Sequence, residues 1–544
     1  MIKSFDFKDT DTRVRKYIVP TTIVTKSDGI ENEQCLLKYR DRQIQLQETE
    51  LMTMPAGAEI VFDFGCEFHG GAQISAHKNS GKTAVKLHIR FGESVGEALA
   101  PLGFKGACND HSARDFTVDV MPYSSNEYGA TGYRFLYIKN ESDYEVKIKT
   151  VQGIAVYQPY EYVGSFECSD KRLNEIYDVS AYTCHLCMQN QLWDGIKRDR
   201  LVWIGDMSPE LKTIKYVFGD TPEIANGLRL SAIDAALPKW VNTIPTYSLW
   251  WLINLEEWCT YTDDYSLMDE HREYALSLIK QIIENTDSAG NFTAGHFIDW
   301  PTKVAPERHD GTRALLILCM NACKKICDYF GDATLKAECD RVKTLATARV
   351  GNAGEYKQIA ALLKLAGISD ESCDSVLSQG GAKGFSTFMS YYILTAMAKV
   401  TDTDSVLSAL TEYYGGMLDM GATTFWEDFD IKWTENASRI DEIPCEDKRD
   451  IHGDNGNYCY LGYRHSLCHG WASGPVPFLT EHVLGIEFVG GGCKKVKVTP
   501  HIGSLKFAKG SVATPYGKVS VSHTRLDDGS IKTDIDAPDQ IEIL

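Results

Sequence analysis

The chain has 544 residues, which at roughly 100–200 residues per domain favours three or four domains and excludes a single small module. With 43% hydrophobic and 24% charged residues it has the composition of ordinary globular protein, so wholesale disorder is excluded as well. A balance of 56 Lys+Arg against 75 Asp+Glu gives a formal charge of −19, and without a local basic patch this predicts neither nucleic acid nor an anionic membrane as partner.

The start, MIKSFDFKDTDTRVRKY, lacks the apolar core of a secretory signal, and apolar runs stay short of the ~20 residues that cross a bilayer. Both features predict a cytoplasmic protein. Period-two segments then follow up to about residue 160: EIVFDFG, GGAQISAH, AVKLHIRFGES, DFTVDVMP, YRFLYIKN and EVKIKTVQGIAVYQ, each bounded by Gly, Ser, Asn or Pro. Short strands separated by turn residues predict an N-terminal β-sandwich over 1–163.

Ser169-Asp170 forms an N-cap pair, and Leu173, Ile176, Tyr177 and Val179 follow at helical spacing. From 164 to 485 nearly every segment reads as helix. Candidates follow Pro209 and Pro222 and then cover about 246–262, 266–286, 310–330, 333–348, 355–366, 384–400, 403–416 and 472–484. So many helices joined by polar loops suit a toroid of paired helices better than a four-helix bundle. Cys319, Cys323 and Cys327 recur every four residues beside Leu316 and Ile326, which makes them a core stripe. Cys184 and Cys187 lie in a helical pattern without a second CxxC. The sixteen cysteines therefore read as small buried hydrophobes in a reducing compartment. After Gly485, CKKVKVTPHI, GKVSVSHTRL and SIKTDIDAP return to period two and predict a small C-terminal β-sandwich over 486–544.

GxxxxGK[ST], a strand-to-helix GxGxxG, GxSxG and HExxH are all missing, so nucleotide, hydride, serine-esterase and zincin chemistry lose their usual warrants. What stands out is a density of carboxylates and tryptophans where helices begin or loops run. That combination suits sugars, whose ring faces stack on aromatics while their hydroxyls bond carboxylates and Arg. The densest cluster runs from Trp193 to Glu210. There Ser208, Pro209 and Glu210 predict a helix start, and Asp194 to Asp206 an irregular loop. Other clusters are Tyr247 to Trp251, His296 to Pro301, Gly421 to Asp430 and Ser466 to Pro475. On a helix Trp250 and Trp251 point about 100° apart, and the second is the better candidate for a cleft.

The run Asp194-Gly-Ile-Lys-Arg198-Asp199-Arg200-x-x-Trp203-x-Gly205-Asp206, then Asp299-Trp300-Pro301, then Ala422-Thr423-Thr424-x-Trp426-Glu427, then His469-Gly-Trp-x-x-Gly-Pro resembles, in order, the motifs of the α-L-rhamnosidases of glycoside hydrolase family 78. The flanks agree, with Asp63-Phe64-Gly65, Arg90-Phe91-Gly92-Glu93 and Gly132-Tyr133-Arg134 similar to that family's β-sandwich. The resemblance covers roughly residues 55 to 525. It implies an (α/α)6 barrel catalytic domain between two β-sandwiches. It also implies inverting hydrolysis of a terminal α-L-rhamnosyl unit from a rhamnose-containing glycoside or oligosaccharide. In such sites the acid and the base stand about 6.5–9.5 Å apart, with a water between them.

By this resemblance Asp199 falls on the acid position, usually Glu, and Glu427 on the base. Asp194, Arg198, Trp203, Asp206, Trp251, Asp299, Trp300, Trp426 and His469 match the sugar-holding pocket. Gly195, Lys197 and Arg200 also depart from the commoner motif, which implies a coherent subgroup with Asp as acid and Asp206 as the next candidate. A protonated Asp199 needs at least one neighbouring Arg head turned away toward another carboxylate. No cluster has EF-hand spacing, so neither a metal nor a cofactor is expected. The alternatives are a toroid hydrolase for another glycone such as a uronic acid, and a carbohydrate-binding protein without turnover.

Overall fold

The computed structural model describes residues 11–81 and 83–544; the first ten residues, on which the reading of the N-terminal segment partly rests, and Lys82 lie outside them. The chain forms two compact units. One comprises the residues up to Tyr160 together with His185–Arg200 and Asn436–Cys468, and the other comprises Glu161–Cys184, Leu201–Glu435 and His469–Leu544.

In the first unit eight antiparallel strands form one sheet: β1 (Val14–Ile18), β2 (Thr22–Lys26), β3 (Met52–Met54), β4 (Glu59–Asn79), β5 (Val85–Gly92), β6 (Asp115–Val120), β7 (Ser124–Asn140) and β8 (Val146–Tyr157). Their order is β1-β8-β4-β7-β5-β6, with β2 added to β4 and β3 to β8. EIVFDFG and GGAQISAH, which read as separate strands, are the two halves of β4, joined through irregularities between Asp63 and Phe68 and between Gly70 and Ala72. Gly70 permits this path. Its φ is 149°, and a Cβ there would lie 1.7 Å from the Ile154 carbonyl oxygen. Ile60, Phe62 and Phe64 from one half, and Phe68, Ala72 and Ile74 from the other, bury in one core with Leu87, Ile89 and Phe91 of β5. The region in which short strands predict a sandwich is thus one hydrogen-bonded sheet whose two halves share a core.

The second unit is mainly helical. Helix Arg308–Phe330 packs against helices Pro245–Thr262, Ala333–Thr347 and Lys357–Ala366. The Cys319, Cys323 and Cys327 stripe is fully buried, with the first two sulfurs 3.6 Å apart, and all sixteen cysteines are free thiols. Several helix bounds differ from the sequence pattern. The segment predicted over 266–286 breaks at His271 into Ser266–Glu270 and Arg272–Glu284, and 384–400 shortens to Ser390–Met397. Helix Glu371–Ser378 was not anticipated; Asp370 starts it by accepting the amides of Ser372 and Cys373. The segment 472–484 opens with a 3-10 turn (Gly470–Ser473), continues through Pro475–Phe478 and widens into a π turn over Leu479–Val483. Pro475 and Pro477 sit in the first turn, where a missing N–H costs no bond.

Toward the C-terminus, Ile486–Phe488, Lys495–Val498 and Glu542–Ile543 make a three-stranded sheet. Phe507–Thr514, Gly517–Arg525 and Ile531–Asp536 make a second sheet, completed by Ser165–Cys168. That early segment alternates exposed Ser165 and Glu167 with buried Phe166 and Cys168, so it pairs as an edge strand before the first helix begins. Among the described residues no helix is long and apolar enough to cross a membrane.

Candidate active site

Helix Met207–Val217 starts earlier than the Ser208 cap predicts. Asp206, directly before it, has helical φ and ψ and does not cap the helix with its side chain. Its carboxylate is engaged elsewhere: the Tyr247 hydroxyl donates to Oδ1 at 3.0 Å, and His469 Nε2 lies 3.1 Å from Oδ2. The His469 amide donates to the Phe425 carbonyl at 3.0 Å, which lays His469 alongside the segment carrying Glu427. His469 Nδ1 stands 3.6 Å from Glu427 Oε1. Asp206, His469 and Glu427 are each only 3% exposed, so one imidazole links two buried carboxylates. The ring hydrogen-bonds Asp206 through Nε2, whereas its 3.6 Å approach to Glu427 is a charge contact longer than a hydrogen bond. Burial pushes the Asp206 carboxyl above its usual range, His469 acting against the shift.

Asp299 lies close enough for the charge of Asp206 to be felt. Burial raises its carboxyl to about 7, against the hydrogen bonds it accepts, and Asp206 adds to the rise. The residue is extended and caps the 3-10 turn Trp300–Thr302, so Trp300 itself is not extended as its place before Pro301 predicts. Asp299 Oδ1 accepts the Trp300 amide at 2.7 Å, and Oδ2 accepts the Ser386 hydroxyl.

Aromatic rings surround these acids. Trp203 meets Tyr247 edge-on, Trp300 meets Phe297, and both tryptophans are partly exposed. Trp471 stacks on Phe388 and lies 4.3 Å from the His469 ring. Two predicted pocket residues are placed differently. Trp251 is fully buried, its Nε1 donating to Leu228 O and Ser231 Oγ and its ring packed on Tyr274 and His271, so it is committed to helix packing. Trp426 is 1% exposed and meets Phe429 edge-on. Neither tryptophan offers a sugar a stacking platform.

Asp194, Arg198 and Asp199 belong to the first unit. Asp194 is buried, and its carbonyl accepts the Cys187 thiol. Arg198 donates from Nε to Arg464 O at 3.0 Å and from Nη1 to Asp199 Oδ1 at 2.8 Å, with its guanidinium 5.1 Å from the Tyr460 ring centre. Asp199 and Arg200 have φ of 50° and 53°. Two successive non-glycine residues in the left-handed region cost roughly 1–2 kcal/mol each and must be held by their surroundings. The Asp199 amide donates to His111 Nδ1 at 2.6 Å, and Arg200 donates to the carbonyls of Ala130 and His111. Arg200 thus reaches main-chain carbonyls, with the charge of Asp194 also acting on it.

Beside this stretch, Glu93, Glu97 and His452 bring potential ligand atoms within 4.8 Å of one another. Lys197 occupies that position. Its buried ammonium lies 2.8 Å from Glu93 and 3.4 Å from Glu97 and donates to the carbonyls of Tyr463 and His465. Both His452 nitrogens are bonded, to Ser94 Oγ and His465 O. The donor set thus fits an ammonium, not a metal ion. The contacting residues that the sequence reading does not single out are His111 and Ser386, and Tyr247 lies in a cluster named there without a role for its hydroxyl. A lone hydroxyl carries no spacing signature; only the Asp299 to Thr302 capping pattern was available to mark its turn.

Residues 161–326 match the family described as the bacterial alpha-L-rhamnosidase 6 hairpin glycosidase domain, and residues 485–543 match the bacterial alpha-L-rhamnosidase C-terminal domain. No curated protein matches the chain at a significant level. The chain is similar to the solved GH78 family rhamnosidase of Bacillus sp. GL1, with a TM-score of 0.74 and 20% identity over 94% of this chain and 55% of that one. It is similar to a rhamnosidase from Klebsiella oxytoca with rhamnose bound, with a TM-score of 0.66 and 18% identity over 86% and 96% of the respective chains. Against Streptomyces avermitilis alpha-L-rhamnosidase complexed with L-rhamnose the TM-score is 0.68 and the identity 14%, over 90% and 49%. The chain spans about half the length of the Bacillus and Streptomyces proteins. Its fold is rhamnosidase-like, a helical domain with sheets toward both ends of the chain.

Proposed function

We propose that the protein is a family 78 glycoside hydrolase that releases terminal α-L-rhamnose from small glycosides or oligosaccharides with inversion, Asp199 acting as general acid and Glu427 as general base. The observation that carries this reading is the buried chain Asp206–His469–Glu427, in which three segments resembling successive family motifs converge. Asp199 gives its proton to the glycosidic oxygen as the C–O bond breaks. Glu427 takes a proton from the water that attacks the anomeric carbon from the opposite face, and the products are rhamnose of inverted configuration and the free aglycone alcohol. Asp194, Arg198, Trp203, Asp206, Asp299, Trp300 and His469 hold the sugar. The helical region, 164–485, closes as an (α/α)6 barrel between β domains at 1–163 and 486–544. The free cysteines support work in a reducing, cytoplasmic setting.

A uronic acid glycone would need a cation for its carboxylate. Lys197, Arg198 and Arg200 are already bonded to Glu93, Asp199 and main-chain carbonyls, which favours the neutral deoxysugar. One observation favours a second assignment of the acid: burial raises the Asp206 carboxyl, whereas Asp199 shares its oxygen with Arg198.

Nitrophenyl α-L-rhamnoside hydrolysis, with the product anomer followed by NMR, tests the proposal. Wild type is expected to release the inverted anomer, and Asp199→Asn and Glu427→Gln each to lose at least about 10² in kcat. A Glu427→Gln variant of normal rate removes the base assignment. Rhamnose binding without turnover by wild type establishes the non-catalytic alternative.

A further inference from the structure

The motif reading leaves out the segment Phe385-Ser386-Thr387-Phe388, yet its two hydroxyls reach two of the acids. Ser386 Oγ donates to Asp299 Oδ2, and Thr387 Oγ1 donates to the Glu427 carbonyl at 2.6 Å. Trp471 Nε1 donates to the same carbonyl at 2.9 Å, so the main chain of Glu427 is held from two sides. Both hydroxyl residues are buried. The pair sits in a turn just before helix Ser390–Met397, and the Ser390 hydroxyl closes that turn on the Thr387 carbonyl.

The direction of the Ser386 bond is set by Gln358, at the start of helix Lys357–Ala366. Its Nε2 donates to Ser386 Oγ and to the Gly384 carbonyl, both at 3.1 Å. An amide nitrogen only donates, so the single proton of Ser386 is left for Asp299. Asp299 Oδ1 is meanwhile fixed by the Trp300 amide. One peptide step, about 3.8 Å between Cα atoms, therefore links a clamp on the Asp299 carboxylate to a clamp on the Glu427 backbone.

We propose that Ser386 and Thr387 form a brace that holds Asp299 and Glu427 in register, with Gln358 aligning the Ser386 hydroxyl. All three are positioning residues that touch no substrate, and the idea rests on the assignment of Glu427 as base and Asp299 as a sugar ligand. The two arms of the brace act on different kinetic constants. Asp299 binds sugar in the ground state and the transition state alike, whereas Glu427 acts only in the chemical step.

Steady-state kinetics on nitrophenyl α-L-rhamnoside separate the arms. Ser386→Ala is expected to raise KM about tenfold with kcat within about threefold of wild type, and Thr387→Val to lower kcat about tenfold with KM within about threefold. Thr387→Ser keeps the hydroxyl and is expected to restore kcat. Gln358→Leu should reproduce the KM change of Ser386→Ala, and the double variant should be no worse than Ser386→Ala alone, because Gln358 acts on Asp299 only through the Ser386 hydroxyl. This cycle remains decisive if Thr387→Val fails to fold. Equal effects of Ser386→Ala and Thr387→Val on both constants, or additive losses in the double variant, overturn the brace. An active Glu427→Gln variant instead overturns the base assignment, whereas an inactive one beside a normal Thr387→Val overturns the brace alone.

Discussion

The two regions that contribute candidate catalytic carboxylates neutralise charge by different means. In the first unit Lys197 lies on Glu93 and Glu97, and Arg198 lies on Asp199. In the second unit Asp206 and Asp299 are met by an imidazole, a phenol, a serine hydroxyl and a main-chain amide. Full opposite charges compensate one another for lost hydration, whereas neutral donors compensate only in part. The pKa directions follow this division for the cation only. Burial works against the Lys197 ammonium, yet Glu93 and Glu97 hold its pKa above the usual value; burial drives Asp206 and Asp299 up despite their hydrogen bonds, and it drives Glu93 up as well despite Lys197. What sets the first region apart is that its ion pairs fix their partners in place.

The proposed acid lies in the ion-paired region, and the largest effect is expected from Asp199→Asn set beside Asp206→Asn. Asp199→Asn is expected to lose about 10²–10⁴ in kcat on nitrophenyl rhamnoside, the usual contribution of an acid–base group. It should lose much less on a dinitrophenyl rhamnoside, whose leaving group departs without a proton. Asp206→Asn should chiefly raise KM for both substrates. If the leaving-group dependence appears in Asp206→Asn and not in Asp199→Asn, the acid belongs with the neutral donors and the contrast extends to catalysis.

Much of the fold was readable because burial imposes a period. The cysteine stripe at 319, 323 and 327 and the alternation at 165–168 were both written in residue spacing, although the second was assigned to the helical region. Helix Glu371–Ser378 escaped because Cys373 and Leu377 are its only buried residues among Ser, Asp and Glu. At the site, motif order named Asp206, Glu427 and His469, but their contacts depend on tertiary hydrogen bonds for which no local pattern exists. Trp251 shows the converse: helix geometry and the family resemblance point it at a sugar, whereas its indole N–H and ring are satisfied inside the helix pack.

Lys197→Met tests the ion-paired cluster through stability. It would leave Glu93 and Glu97 buried without their ammonium, and breaking one side of a buried ion pair costs about 3–5 kcal/mol. Urea unfolding at neutral pH should show a loss of that size, partly recovered by adding Glu93→Gln. A loss of a few tenths would mean that water reaches this cluster and that the region is not the fixed one.

The smallest expected effect tests the other half of the contrast. The folded protein holds a proton on Asp299 up to about pH 7, whereas an ordinary carboxyl releases it near 3.8. Between those values the folded state binds more protons than the unfolded chain, so this group's contribution to stability is full below pH 3.8 and is lost as pH rises through 7. Asn has no such proton, and in Asp299→Asn this part of the pH dependence should vanish. The stability of Asp299→Asn relative to wild type should therefore improve from pH 5 to pH 8 by about 2.7 kcal/mol, since the rise acts over the two units from pH 5 to about 7 and each pKa unit is worth about 1.4 kcal/mol. Taking the difference between two pH values cancels whatever the substitution does to packing. A difference that stays flat would show that the hydrogen bonds from Ser386 and Trp300 outweigh burial, and that neutral donors alone suffice to keep this carboxylate charged.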